Sequence, residues 1–148
     1  MSEAGNIRQI DDPHDLLELV ELTDVRFYES AAKRRLDGSE RGDDTFRVAV
    51  RHDDQELEIR CRTRIESDAA TFIADAGAVY QLTEPVEISP QALETFVGRV
   101  GVMAVYPFLR EAVSQGAARL TVARPLLPML VGGNVPLERD ESSHIEDD

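Results

Sequence analysis

Tryptophan is absent, and aromatic residues make up only 5% of the chain, so any core must be largely aliphatic. Cysteine occurs once, at Cys61. No intramolecular disulfide can form, and nothing points to an oxidising compartment. Lysine also occurs once, at Lys33, against 15 arginines, a bias that reads as genome composition. Positive charge is in deficit: the formal net charge is −13. Such a surface repels phosphate backbones and anionic lipid heads, which makes nucleic acid and membranes poor partners. The opening residues have no basic start leading into an apolar run, so they do not read as a secretory signal. No uninterrupted apolar stretch approaches the ~20 residues of a membrane span. The expected location is the cytoplasm.

Signatures of chemistry are missing as well. The sequence holds no G-x-S-x-G, no G-x-G-x-x-G and no Walker loop. His14, His52 and His144 have no metal-ligand neighbours at helical or hairpin spacing. His52 with Asp53 and Asp54 reads as a turn, and Cys61 as a buried structural thiol. The expectation is a protein that is not an enzyme and carries no metal and no cofactor.

What is present is patterning. At 148 residues and 42% hydrophobic content, the chain suits one domain with a genuine core. Residues 1–15 read as a flexible segment, residues 16–131 as the folded domain, and residues 132–148 as an acidic, disordered tail. Pro13 suits the first turn of a short helix carrying Leu16, Leu17 and Val20. In "LVELTDVRFYES", Val20 and Leu22 share one parity while Val25 and Phe27 share the other. One phase slip, a bulge near Thr23 and Asp24, is predicted. "AAKRRLDGSERGDD" reads as a long exposed loop. "FRVAVRH" and "ELEIRCRTRIE" alternate on either side of a polar turn and predict a hairpin. Its apolar face carries Leu57, Ile59, Cys61 and Ile65, and its wet face Glu58, Arg60, Arg62 and Arg64. "TFIADAGAVYQL" is a further strand, with a bend expected at Gly77.

Then the period changes. Ser89 can cap and Pro90 suits the first turn of a helix whose Leu93, Phe96, Val97, Val100, Met103 and Ala104 recur every 3.6 residues. Gly116 is its expected end, and Pro107 is expected to kink it. Apolar residues from Val100 to Leu109 wrap nearly the whole circumference. One sheet face buries one side of a helix, so a second surface is needed, commonly another subunit. The close spacing of Pro125, Pro128, Gly132 and Gly133 leaves room for at most one helical turn over residues 126–130. The fold class is therefore α+β: a four-stranded antiparallel sheet followed by a long apolar helix.

The segment "YPFLRE", with Tyr106, Pro107, Phe108, Arg110 and Glu111, together with "TDVRF" at residues 23–27 and "TFIADA" at residues 71–76, resembles the SecB-like protein-export chaperones. The resemblance covers about residues 19–130, and "LTVARPLLPML" follows the family's loop into its second helix, here truncated. It implies an ATP-independent holdase for unfolded or export-competent polypeptides. It also implies a homotetramer, a dimer of dimers, in which joined sheets sandwich the long helices. Oligomer contacts would fall on Val100, Met103, Tyr106, Pro107, Leu109 and Arg110. A client groove would use Phe27, Tyr28, Leu126, Leu127, Met129 and Leu130. Docking to a SecA-type ATPase would use Asp24, Ile73 and Asp75, although Tyr28 replaces a further acid of that patch. On residue grounds alone, Asp24 and Asp75 read as ordinary solvent-facing carboxylates. Relatives in toxin–antitoxin systems make an antitoxin the alternative client. A small-ligand-binding α+β domain is the alternative from another class.

Overall fold

A computed structural model describes residues 7–37, 39–127 and 138–139. Strand β1 (Arg8–Ile10) and the short helix α1 (Pro13–Leu17) come first. Of the segment expected to be flexible, residues 8–10 and 13–15 are thus built into the fold, and residues 1–6 lie outside the described residues. The reason is burial: Ile10 and Leu16 are almost fully enclosed in the core. Asp12 caps α1 by accepting from the His14 N–H, and β1 pairs in parallel with β6 (Val86–Ile88).

The main sheet contains β2 (Val20–Arg34), β3 (Thr45–His52), β4 (Glu56–Glu66) and β5 (Ala70–Leu82). These strands are antiparallel in the order β2-β5-β4-β3, and a two-residue strand β7 (Glu138–Arg139) lies parallel to β3 at Ala49 and Val50. The expected four antiparallel strands are present. Glu138 and Arg139, within the segment expected to be a disordered tail, supply the fifth, and the rest of that segment lies outside the described residues.

The β3–β4 hairpin forms as the alternation predicts, with Val48 opposite Cys61 and Val50 opposite Ile59. Its turn is an Asx turn: Asp53 Oδ1 accepts from the N–H groups of Gln55 and Glu56, both at 2.8 Å. Those bonds lower the Asp53 carboxyl below its ordinary value. The bulge expected at Thr23 is there, and a second occurs at Tyr28. Pairing runs through Gly77 without a shift in register. That glycine instead makes room for the buried Glu58 carboxylate, which a Cβ would strike.

A helical rod spans Pro90–Leu120, in three parts: α2 (Pro90–Phe96), a π turn (Val97–Gly101) and α3 (Val102–Leu120). Ser89 caps it by accepting from the Ala92 N–H at 3.1 Å. By length and composition alone this 31-residue rod would pass for a membrane span. Its packing on the sheet makes it a core helix instead: Phe96 stacks edge-on against Tyr80 of β5, and Tyr106 tilts against Phe46 of β3.

The departure from regular α-helix falls at Val97–Gly101 rather than at Pro107, through which the helical backbone continues. In the π turn the Val102 N–H donates to the Val97 carbonyl, five residues back. The extra residue rotates the apolar face. Upstream, Leu93, Phe96 and Val97 are the buried residues, with Phe96 on Tyr80 of the sheet, and downstream Val102, Val105, Tyr106 and Leu109 are buried, with Tyr106 on Phe46. Gly101 is pressed against Ile59, where a Cβ would collide with Ile59 Cδ1.

Gly116 does not end the helix. It is buried against Ala32 and Phe72, a close approach of helix to sheet. The rod stops four residues later in a Schellman motif. Thr121 takes the left-handed conformation (φ 58°), Val122 N–H donates to the Ala117 carbonyl and Thr121 N–H to Ala118. Residues 122–127 carry no helix, and the rest of the expected short turn lies outside the described residues.

Two faces of one sheet as the candidate functional site

Parity assigns each strand residue to a face. Core-facing positions on β5 are Phe72, Ala74, Ala76, Ala78 and Tyr80, all buried beneath the rod. Their partners on β2 are Ala32, Ser30, Phe27, Val25 and Leu22. The rod leaves part of this row uncovered: Leu22 is 46% exposed and Phe27 45%. On the rod itself, Val100, Met103 and Ala104 are half-buried, while Pro107, Phe108 and Arg110 are exposed. Of the expected oligomer contacts, Tyr106 and Leu109 are instead buried against the subunit's own sheet. The π turn has rotated them inward and left Val100, Met103, Ala104 and Pro107 as an outer stripe.

The opposite face was expected to be wet, and it is not. Asp75 is fully buried, and Arg62, Glu58 and Glu66 are 4%, 2% and 3% exposed. The side chains enclose one another. Arg60 grips both Asp75 oxygens, Nε to Oδ1 at 2.8 Å and Nη2 to Oδ2 at 2.9 Å. Arg62 Nη1 donates to the same Oδ2 at 3.1 Å and to Glu29 at 2.8 Å. Tyr28, at the second bulge, donates its hydroxyl to Glu58 while the Arg60 guanidinium lies 3.9 Å from its ring centre. Burial, and then the bond to Glu58, raise the Tyr28 phenol. Arg51 also reaches Glu58, at 3.3 Å. Arginine stems supply the apolar cover, and the paired heads remove the cost of unpaired charge.

A second knot pins the 35–44 loop. Glu66 accepts from Arg35, from Arg64 Nε at 2.8 Å and from Thr71 Oγ1 at 2.9 Å. Arg35 also donates to the carbonyls of Ser67 and Glu40. Burial alone would raise the Glu66 carboxyl, but these side-chain bonds and one from the Gly42 backbone outweigh it and hold the group at about 2. A depressed carboxyl contributes stability that is fully present above its unfolded value of 4.5 and is lost as pH falls toward 2. The contribution is about 3 kcal/mol. Urea midpoints measured from pH 6 down to pH 2 are expected to fall across that window, and to fall less for Glu66→Gln.

The expected docking trio shares this outer face, with Asp24 opposite Val79 and Ile73 opposite Ala31 and Arg64. Only Asp24 is freely exposed. Asp75 is closed off by its arginines and offers no surface charge. The expected client residues Phe27 and Tyr28 fall on opposite faces, as neighbours in a strand do, and the bulge at Tyr28 puts Glu29 on the outer face with it. Leu126 is 85% exposed and Leu127 half-buried; Met129 and Leu130 lie outside the described residues. Cys61 is fully buried on the core face, and burial raises its thiol, the reverse of a poised nucleophile. The polar knots had a signal in the sequence, arginine alternating with acid along β4, but that pattern equally describes a solvated face.

No protein-family model matches the chain. Among characterised proteins it is similar to the SecB-like chaperone SmegB of Mycolicibacterium smegmatis, with 41% identity over 143 residues and 97% of each chain covered. Among solved structures it is similar to the Mycobacterium tuberculosis Rv1957 SecB-like chaperone in complex with a ChAD peptide from the Rv1956 HigA1 antitoxin. That match has a TM-score of 0.63 and 21% identity, and covers 80% of this chain and 93% of that one. An antiparallel sheet under one long rod, partly exposed apolar rows on both, and identity along nearly the full length agree: the chain belongs to the SecB-like chaperone family.

Proposed function

We propose that the chain works in the cytoplasm as an ATP-independent holdase, assembled as a homotetramer. The observation that carries this reading is the outer stripe of the rod. Val100, Met103, Ala104 and Pro107 form a continuous apolar strip that their own subunit covers only in part. A second copy of the rod supplies the rest. Strand β2 is an edge of the sheet, and joining two such edges extends the sheet across subunits. Leu22 and Phe27 on the rod side of β2 then offer clients apolar contacts of roughly 1.5–3 kcal/mol each when fully buried. Several such contacts give sequence-tolerant capture without directional chemistry.

A second reading makes an antitoxin the principal client. The Rv1957 chaperone is held with an antitoxin peptide, and the closure of Asp75 weakens the case for export docking through a SecA-type ATPase. The solution mass is expected near four times the 16.5 kDa chain mass. Light scattering of chemically unfolded clients, with and without ATP, tests the holding activity. Equal protection of unrelated clients supports the general holdase, and protection of an antitoxin alone supports the second reading. A single-subunit mass with no protection of either overturns both.

A further inference from the structure

We propose that the outer face of the sheet carries a second polypeptide site, which takes an acidic segment bearing an aliphatic side chain. A pocket of about 370 Å³ lies where β2, β5 and the 35–44 loop meet. Ala31 and Ile73, register partners on β2 and β5, line it, and Leu36, 71% exposed, stands at its side. The lining is mostly apolar, with room for one or two aliphatic side chains.

The charge at this pocket runs against the rest of the molecule. Lys33, Arg34, Arg35 and Arg64 line it, and among the described residues no carboxylate does, in a chain of net charge −13. Glu66 beneath accepts from both Arg35 and Arg64, so one carboxylate serves two cations. Arg34 turns to the rod side of the sheet, where it donates to the Leu120 carbonyl at the negative end of the helix, so its charge does not count toward this pocket. Lys33 is exposed and has no carboxylate partner among the described residues. The complement is therefore an aliphatic residue flanked by carboxylates. An open pocket beside a strand suits an extended peptide. Among the described residues the lining holds no aromatic ring on which a base could stack, and the overall charge disfavours a phosphate backbone.

This site is on the opposite side of the sheet from the rod, Leu22 and Phe27, so it stands apart from the holding surface. Its preference for acid is also the reverse of what an acidic docking patch would recruit.

The test is fluorescence polarisation with the full-length protein and a labelled acidic nonapeptide in which one leucine is flanked by glutamates. Saturable binding that weakens with salt is expected. Lys33→Glu and Leu36→Ser are each expected to lower the affinity at least about tenfold. Both positions are exposed, so both variants should keep the parent's urea midpoint and its suppression of client aggregation. Equal binding of a peptide with lysines in place of the glutamates would overturn the charge assignment. Equal binding of a peptide with serine in place of the leucine would overturn the pocket. Unchanged affinity in both variants, or preferential binding of anionic vesicles, would overturn the site. Loss of aggregation suppression in step with peptide binding would show one surface rather than two.

Discussion

Replacing Asp75 with alanine is expected to destabilise the subunit by about 3–5 kcal/mol, the range for removing one partner of a buried ion pair. The carboxylate is wholly enclosed and receives three hydrogen bonds from Arg60 and Arg62. Its loss takes a fully buried carboxylate partner from Arg62, itself 4% exposed, whose contact with Glu29 is partly open to water. Arg60 is freer to reach water, with 17% of its side chain accessible, which favours the lower part of the range. Urea unfolding monitored by circular dichroism gives the measurement. Asp24→Ala is the control. That side chain is exposed and only 4.0 Å from an exposed arginine, so a change of less than about 0.5 kcal/mol is expected. If the two substitutions proved equally mild, the enclosed knot would not be a stabilising element, and a surface role for Asp75 would return.

Met103→Asp is expected to have the largest effect on assembly. Met103 is half-buried in the subunit and sits within the outer stripe of the rod. In the free subunit a carboxylate there can still reach water, so the fold should survive with a loss of about 1 kcal/mol or less. In the assembled protein the same carboxylate would be enclosed without a partner, at a cost of several kcal/mol. Subunit dissociation should therefore rise by a hundredfold or more, with a smaller solution mass and weaker protection of unfolded clients. Gln115→Asp, on an exposed turn of the same rod, should change neither. A Met103→Asp protein that kept the full mass would place the assembly contact elsewhere.

Alternation made the strands legible: β3, β4 and β5 each carry most of their apolar side chains on one parity, a pattern that needed no information from outside the strand. Ser89 and Pro90 marked the start of the rod for a similarly local reason. The rod's apolar face was misread because a constant 3.6-residue period was carried through Val97–Gly101. The π turn adds a residue there, and Val100, Met103 and Ala104 swing away from the sheet. The turn brings Gly101 close against Ile59, on a strand some forty residues earlier, a tertiary fit that a local period does not carry. Gly116 was misread as a stop for the same kind of reason, since only the position of Ala32 and Phe72 explains a glycine in mid-helix. The outer face was misread because alternating arginine and acid specify opposite charges without saying whether they meet water or each other. That depends on the lateral order β2-β5-β4, which places Asp75 between Glu29 and the β4 arginines.

Strand β2 leaves a further mark on how copies can meet. Its two irregularities, at Thr23 and Tyr28, divide the lateral hydrogen-bonding rim into short runs that are out of step with one another. A regular strand from an unrelated protein can match one run and is thrown off at the next. A neighbour carrying the same pair of offsets can match them all. The broken rim thus makes a poor template for fibrous growth, a useful restraint in a molecule whose clients are themselves prone to stick.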